Sequence, residues 1–204
     1  MDPRAEAYFA LSECFKEPTT EFARDVASGL LRDAISEASS ALGLTFDVDG
    51  LREAGAEGEV LDRLRGAYHA IFTVPSSRFV LPVESVFKEW RAGEGLGAAL
   101  GMIMGPPALD MVGRYGARGL GVPGEMKDYP DHLALLLEYG GVLCQEGDLQ
   151  GQREFVASHL DQWIEALADQ VQHLSEIPFY RAAAGALRVF VQAERRELGL
   201  PESP

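Results

Sequence analysis

The sequence has 204 residues, 47% of them hydrophobic and 25% charged, which is the composition of an ordinary globular protein. Its 18 Lys and Arg residues face 32 Asp and Glu residues, and the resulting net charge of −14 disfavours nucleic acid and anionic lipid as partners, because both are held chiefly by Lys and Arg. No run of eighteen apolar residues is present, and charged residues stand where a signal peptide would have its apolar core, so we expect a cytoplasmic protein without a membrane span.

Helical periodicity dominates the chain, and strand alternation is nearly absent. Apolar residues at three- and four-residue spacing predict helices over 5–16, 20–42, 57–72, 84–90, 95–104, 108–118, 131–146, 153–174 and from Pro178 onward. Breaker segments separate them at 43–50, 73–82 and 119–130. The sequence therefore predicts an all-α protein, a single globular bundle of roughly eight to ten helices over residues 1–204, with 119–130 as a candidate hinge between two lobes.

Most sequence patterns that could indicate a catalytic, cofactor or metal site are better explained by a structural role of the same residues. The G-x-G-x-x-G at 119–124 has no strand before it and is interrupted by proline, so it indicates an interhelical loop rather than a dinucleotide site. Cys14 and Cys144 form no CxxC pair and are expected to be two half-buried thiols. No metal site is expected, because no H-E-x-x-H is present and the four histidines are spread over three predicted helices: His69, His132, His159 and His173.

The pair Asp131-His132, which follows Pro130 at the start of a predicted helix, is the exception. Capping explains Asp131 well, because an acid in the first turn meets the unpaired N–H groups and the positive end of the helix dipole. It explains His132 less well, since a cationic imidazole is disfavoured there. A neutral, exposed His132 that donates a hydrogen bond to a ligand would fit better. Capping and recognition both stay open at this point.

Two segments carry a family resemblance. "YPDHLALLLEY" (129–139) has the form P-D-H-[LI]-x-x-E/L-L-E-[FY]. "YHAIFTVPSSRFVLPVESVFK" (68–88) begins with Y-H-A-I-F, which is similar to an aromatic-x-x-L-F step, and continues to P-x-E-S-V-[YF]. A Y-x-x-x-G-L step at 115–120 lies between them, and 159–191 is similar to a pair of closing helices. Together they resemble the TorD/DmsD/NarJ family of redox-enzyme maturation chaperones. Thr73 stands where the family often has glycine, and Tyr68 where some members have tryptophan, so the subgroup and the client stay open.

The resemblance implies a chaperone with no catalytic residue. Such proteins bind the N-terminal leader of a molybdopterin oxidoreductase subunit, often a twin-arginine signal peptide, and hold the apoenzyme until its cofactor is inserted. It points to Asp131 as the residue that holds the helix start and a guanidinium, and to His132 as a peptide contact. The further peptide-binding residues that it implies are Pro130, Glu84, Tyr68, Phe72 and Pro82.

Alternatives stay open beside this interpretation. The chain could be an adaptor or assembly protein for another complex, or an α-helical enzyme that uses Asp131 and His132 as acid and base. No cofactor is expected. Guanine nucleotide, which some family members bind, stays open through the resemblance alone, because no phosphate-binding motif here supports it. We expect a monomer, with helix exchange between two copies through 119–130 as the alternative.

Overall fold

The computed structural model describes residues 2–74, 79–92, 103–161 and 163–201, without the side chains of 89–92. Within these ranges the chain forms ten α-helices and no sheet, apart from one isolated antiparallel bridge between Val83 and His132. The all-α prediction is therefore confirmed. The helices are α1 (Pro3–Glu13), α2 (Thr20–Ser28), α3 (Leu30–Ala41), α4 (Glu57–Tyr68), α5 (Glu84–Ala92), α6 (Pro106–Ala117), α7 (Leu133–Gln145), α8 (Leu149–Phe155), α9 (Ile164–Leu174) and α10 (Pro178–Glu197).

The single helix predicted over 20–42 is wrong, because the chain breaks at Gly29. This residue has a φ of +89°, a left-handed conformation that glycine adopts without steric cost. Its N–H donates to the carbonyls of Asp25 and Val26 and so ends α2, and α3 begins at the next residue. Two helices thus replace one.

The helix predicted over 153–174 is also divided. α8 passes into a π-turn over Val156–Leu160 before α9 begins at Ile164. α4 likewise continues into a π-turn over His69–Thr73. The predicted helix at 95–104 lies outside the described residues except for Ile103 and Met104, which form a turn.

The packing of α1 against α7 is the most extensive helix contact of the fold. Two glycines of α7 allow it: a Cβ added at Gly140 would lie 2.5 Å from the ring of Tyr8, and one at Gly141 would lie 2.7 Å from the ring of Phe9. Tyr8 in turn packs edge-on against Phe190 of α10, with ring centroids 4.7 Å apart. α7 is thereby held in the middle of the bundle, where ten of its thirteen residues are buried.

A continuous hydrophobic core joins these helices. Its largest fully buried side chains include Trp163 and Tyr180. Cys14 and Cys144 are free thiols, and both are buried rather than half-buried as predicted. None of the described helices has the length and apolar character needed to cross a membrane. The role of 119–130 as a hinge stays a prediction.

The close approach of α1 and α7 can be tested at Gly140. Gly140→Ala should lower the free energy of unfolding by about 1–3 kcal/mol, because the new methyl group overlaps the Tyr8 ring. Gly113→Ala on α6 is the matched control: no atom lies within 4 Å of its added Cβ, so alanine should stabilise the helix by about 0.5–1 kcal/mol. Urea unfolding of both variants measures the difference. Equal stability of Gly140→Ala and the native protein would contradict the packing described.

Candidate functional site

Two segments that lie far apart in the sequence are joined by backbone hydrogen bonds at the centre of the site. The N–H of Leu133 donates to the carbonyl of Pro82 at 2.8 Å, and the N–H of Glu84 donates to the carbonyl of Asp131 at 3.1 Å. The bridge between Val83 and His132 lies between these bonds. The starts of α5 and α7 are therefore fixed side by side.

Asp131 caps a different helix from the one expected. Its Oδ2 accepts hydrogen bonds from the backbone N–H of Ser85 at 2.7 Å and from the Ser85 hydroxyl at 2.5 Å, so the carboxylate meets the first turn of α5. α7 begins only at Leu133, after Asp131. The expectation that Asp131 caps the helix that follows it is wrong, because the chain turns at 130–132 and directs the carboxylate to the neighbouring segment. The side chain is fully buried.

His132 is the N-cap of α7. Its Nδ1 accepts a hydrogen bond from the N–H of Ala134 at 3.2 Å, so the neutral ring carries its proton on Nε2. Burial lowers the pKa of His132 to about 4, which keeps the ring neutral at pH 7, as expected. The expectation of an exposed side chain is wrong, since only 6% of His132 is accessible. The hydrogen bond to the helix start is the reason that the imidazole is drawn into the fold.

A groove of about 890 Å³ opens beside this junction, and His132 is part of its wall. The walls are mostly apolar, which is typical of pockets that bind organic ligands or peptides. The hydrophobic residues that line it are Tyr68, Phe72, Phe79, Val80, Leu81, Pro82, Val86, Phe87, Ile103, Pro123, Met126, Tyr129 and Leu135.

Aromatic contacts connect the groove wall to the core. The rings of Tyr68 and Phe72, one turn apart, have centroids 5.2 Å apart, and Phe72 meets Tyr180 edge-on at 5.5 Å. Burial raises the pKa of Tyr68 to about 12, so its hydroxyl stays protonated. This side of the groove is thus a rigid apolar surface backed by the core.

The charged residues that line the groove are mainly acidic. Glu17, Glu125 and Glu138 contribute carboxylates, and Lys16 is the only Lys or Arg among the described lining residues. Lys16 Nζ lies 2.5 Å from Glu138 Oε1. The groove therefore combines apolar walls with a predominantly negative rim, a combination that suits a ligand with both apolar and cationic parts.

Glu84 is buried, and it lies in a partly exposed ionic cluster instead of the groove. Its Oε2 is 2.8 Å from Nδ1 of His159, and Nε2 of the same ring is 2.8 Å from Oδ2 of Asp110. Arg114, followed by His159, holds the pKa of Asp110 below its usual value. Lys88 pairs with the other oxygen of Glu84. The cluster connects α5, α6 and the π-turn after α8, and so supports the groove wall from behind.

Neither acid–base catalysis nor metal binding is built into these groups. Asp131 and His132 are each used to cap a different helix, so they do not form an acid–base pair. Glu84 and Asp110 approach opposite edges of the His159 ring, a geometry that cannot hold one ion between them. Across the described parts of the chain, no group of three or more His, Cys, Asp or Glu residues is arranged to bind a metal.

The structure brings together four of the seven residues predicted from the resemblance. Tyr68, Phe72, Pro82 and His132 line the groove. The other three stand behind it: Asp131 and Glu84 in the interactions just described, and Pro130, whose carbonyl accepts a hydrogen bond from the hydroxyl of Tyr115 at 3.0 Å. Whether any of the seven contacts a ligand stays a prediction.

Several lining residues were missed by the sequence reasoning. Leu135 follows His132 by three residues, and this helical spacing could have placed it on the same wall. Glu138 is six residues from His132, which is poor spacing for one helix face, so spacing did not indicate it. Met126 and Tyr129 belong to the segment expected to be a linker. Glu17 comes from the loop after α1, and no local signal connects it to the groove.

Comparison with known proteins gives the class of the molecule. A family model described as nitrate reductase delta subunit matches residues 28–169, and the chain belongs to this family. "Chaperone protein TorD" of Vibrio cholerae serotype O1 is 26% identical over 218 residues, which cover 95% of this chain and 91% of the relative. "Chaperone protein TorD" of Shewanella loihica is 25% identical over 149 residues, which cover 73% and 68% respectively. The resemblance noted in the sequence is confirmed, and the protein is a chaperone of this family rather than an enzyme.

The burial of His132 predicts a specific dependence of stability on pH. The unfolded chain binds a proton at this residue near pH 6.5, whereas the folded protein does so only near pH 4. The free energy of unfolding therefore has its full value above pH 6.5, where His132 is neutral in both states. It falls as the pH drops from 6.5 toward 4, because only the unfolded chain binds the proton in this range. We expect this residue alone to lower the free energy of unfolding by about 2 kcal/mol between pH 7 and pH 5.

The measurement compares urea unfolding at pH 7 and pH 5 for the native protein and His132→Asn. Asparagine keeps a capping side chain but removes the titration, so the variant should lose about 2 kcal/mol less on acidification. His173→Asn, at an exposed position of α9, should leave the pH dependence unchanged. A His132→Asn profile parallel to that of the native protein would contradict the assignment.

Proposed function

We propose that this chaperone binds the N-terminal leader of a molybdopterin-dependent oxidoreductase subunit, in the form of a twin-arginine signal, and holds the subunit for cofactor insertion before export or assembly. The observation that carries the proposal is the groove: its walls are apolar and its rim is acidic. A leader has the complementary order, a basic segment followed by an apolar segment of 7–15 residues. The action would take place in the cytoplasm, before the subunit is exported.

The volume of the groove suits a short helical part of the apolar segment. A helix with side chains is about 10 Å across and rises 1.5 Å per residue, so each residue occupies roughly 120 Å³ of such a cylinder. The 890 Å³ of the groove thus corresponds to about two helical turns. A peptide of this length would bury its apolar face against the walls, as amphipathic helices do in other groove-shaped sites.

The acidic rim would bind the arginines of the leader. Guanidinium groups form charge-assisted, often bidentate hydrogen bonds with carboxylates, and Glu17, Glu125 and Glu138 present carboxylates at this edge. The net charge of −14 adds a long-range attraction for a basic peptide. These contacts would set the direction of the peptide in the groove.

His132 would contribute a hydrogen bond to the peptide. Because Nδ1 is used by the N–H of Ala134, the remaining polar atom of the neutral ring is the Nε2–H donor. A carbonyl at the end of a bound helical turn is the natural acceptor. Asp131 would act indirectly, since it fixes the α5 segment that carries Pro82 and Val86.

The principal test is a fluorescence titration with labelled leader peptides. A twin-arginine leader of a molybdoenzyme from the same host should bind with micromolar or tighter affinity, and the same peptide with its apolar segment replaced by serines should not. The alternative, an adaptor for another complex, would show no selectivity between the two. Absence of binding by both peptides would overturn the proposal.

Substitutions at two valines, one in the groove wall and one outside it, test whether the leader binds in the groove. Val86→Asn introduces a polar group into the wall and should weaken leader binding about tenfold, because an apolar contact is lost. Val112→Asn changes an exposed valine of α6 outside the groove and should leave the affinity unchanged. Thermal unfolding of both variants controls for folding. Equal effects of the two substitutions would argue against binding in the groove.

The two parts of the proposed interaction respond differently to salt. Raising the ionic strength screens the contacts between arginine and the acidic rim but not the apolar contacts. Leader affinity should therefore fall only in part and then level off. Complete loss of binding at moderate salt, measured in the same titration, would mean that the apolar walls contribute nothing.

A further inference from the structure

We infer that Lys16 is an internal competitor for the arginines of the bound peptide: in the free protein it occupies Glu138, and binding exchanges it for a peptide guanidinium. The inference rests on the proposed function, because it concerns the same groove. It is carried by one contact, the 2.5 Å approach of Lys16 Nζ to Glu138 Oε1 at the groove rim. Both side chains line the groove.

The charge of Lys16 persists at neutral pH. Partial burial by itself would lower its pKa, but hydrogen bonds to Glu13 and Glu138 outweigh that effect, and the pKa of Lys16 is raised. In the free protein, the negative charge of Glu138 at the rim is thus already paired with the ammonium group of Lys16. A guanidinium that binds both oxygens of the Glu138 carboxylate has to take the place of this ammonium group at Oε1.

The exchange is feasible because the ion pair is partly exposed. Lys16 keeps 30% of its side-chain surface and Glu138 keeps 38%, and pairs that remain in contact with water are weak. An incoming guanidinium can form two parallel hydrogen bonds with a carboxylate, which an ammonium cannot. The arginine therefore has the advantage at Glu138.

Displaced Lys16 would not be left without a partner. Its Nζ also contacts Glu13, three residues earlier at the end of α1, and Glu13 is not part of the groove wall. The ammonium can move away from Glu138 and stay with Glu13. In this structure the ammonium contacts both carboxylates at once, and the exchange would break only its contact with Glu138, which then becomes available to the peptide.

A double-mutant cycle on the intact chain tests the exchange, with the labelled twin-arginine leader as the probe. Lys16→Met keeps the apolar stem and removes the competitor, so leader affinity should rise about three- to fivefold. Glu138→Gln should weaken binding. On the Glu138→Gln background, Lys16→Met should have almost no effect, because the carboxylate for which the two cations compete is gone.

Two controls separate exchange from general electrostatics. Lys127→Met removes one charge from an exposed residue near Glu125 that does not line the groove, and it should change the affinity far less than Lys16→Met. A leader whose arginines are replaced by glutamine should bind the native protein and Lys16→Met equally. Thermal unfolding should show that each variant remains folded.

The outcomes distinguish this inference from the proposed function. If the native protein binds the leader and Val86→Asn weakens that binding, but Lys16→Met has no effect or acts equally on the Glu138→Gln background, only the exchange is overturned. An equal gain from Lys127→Met would also overturn it, since long-range charge would then be sufficient. If the native protein does not bind the leader, both ideas fail.

Discussion

The groove depends on one buried carboxylate. Asp131 accepts the N–H and the hydroxyl of Ser85, and this interaction ties the start of α5 to the segment that begins α7. Burying a carboxylate raises the free energy of the folded state unless hydrogen bonds offset the lost hydration. Separating the two segments would remove the hydrogen bonds from Ser85 and is therefore unfavourable. Pro82 and His132, which come from the two segments, therefore keep a fixed spacing across the groove wall. Asp131 thus has a structural role, whereas His132 beside it faces the groove.

The helices could be predicted from the sequence where a periodic apolar stripe and a stop signal coincide, as they do for α4 and for α10 after Pro178. The breaks inside two predicted helices could not. Gly29 lies within an uninterrupted apolar pattern, and its left-handed φ is decided by how α2 and α3 pack on their neighbours. The π-turn at 156–160 contains no glycine or proline that would mark a break, so the apolar periodicity of the sequence gives no sign of it.

The sequence predicted which residues belong to the candidate site better than it predicted how they are arranged. The two segments that resemble the family do meet, and Tyr68, Phe72, Pro82 and His132 do line one groove. The burial of Asp131, however, results from a partner 46 residues away, and local sequence contains no information on that pairing. The acidic rim is similar in this respect, since its three glutamates come from the loop after α1, from the 119–130 segment and from α7. Only the folded chain brings them to one edge.

The division between wall and rim bears on how a chaperone of this kind can both hold and release a client. Apolar contacts are not screened by salt and persist as long as the groove keeps its shape, which the aromatic backing by Phe72 and Tyr180 favours. Ion pairs at an exposed rim are individually weak and exchange readily with competing cations. A peptide held by both would be retained through its apolar turns and directed by its charges. Since the groove corresponds to only about two helical turns, a peptide bound as proposed would make an apolar contact of limited area, and its release would need no rearrangement of the core.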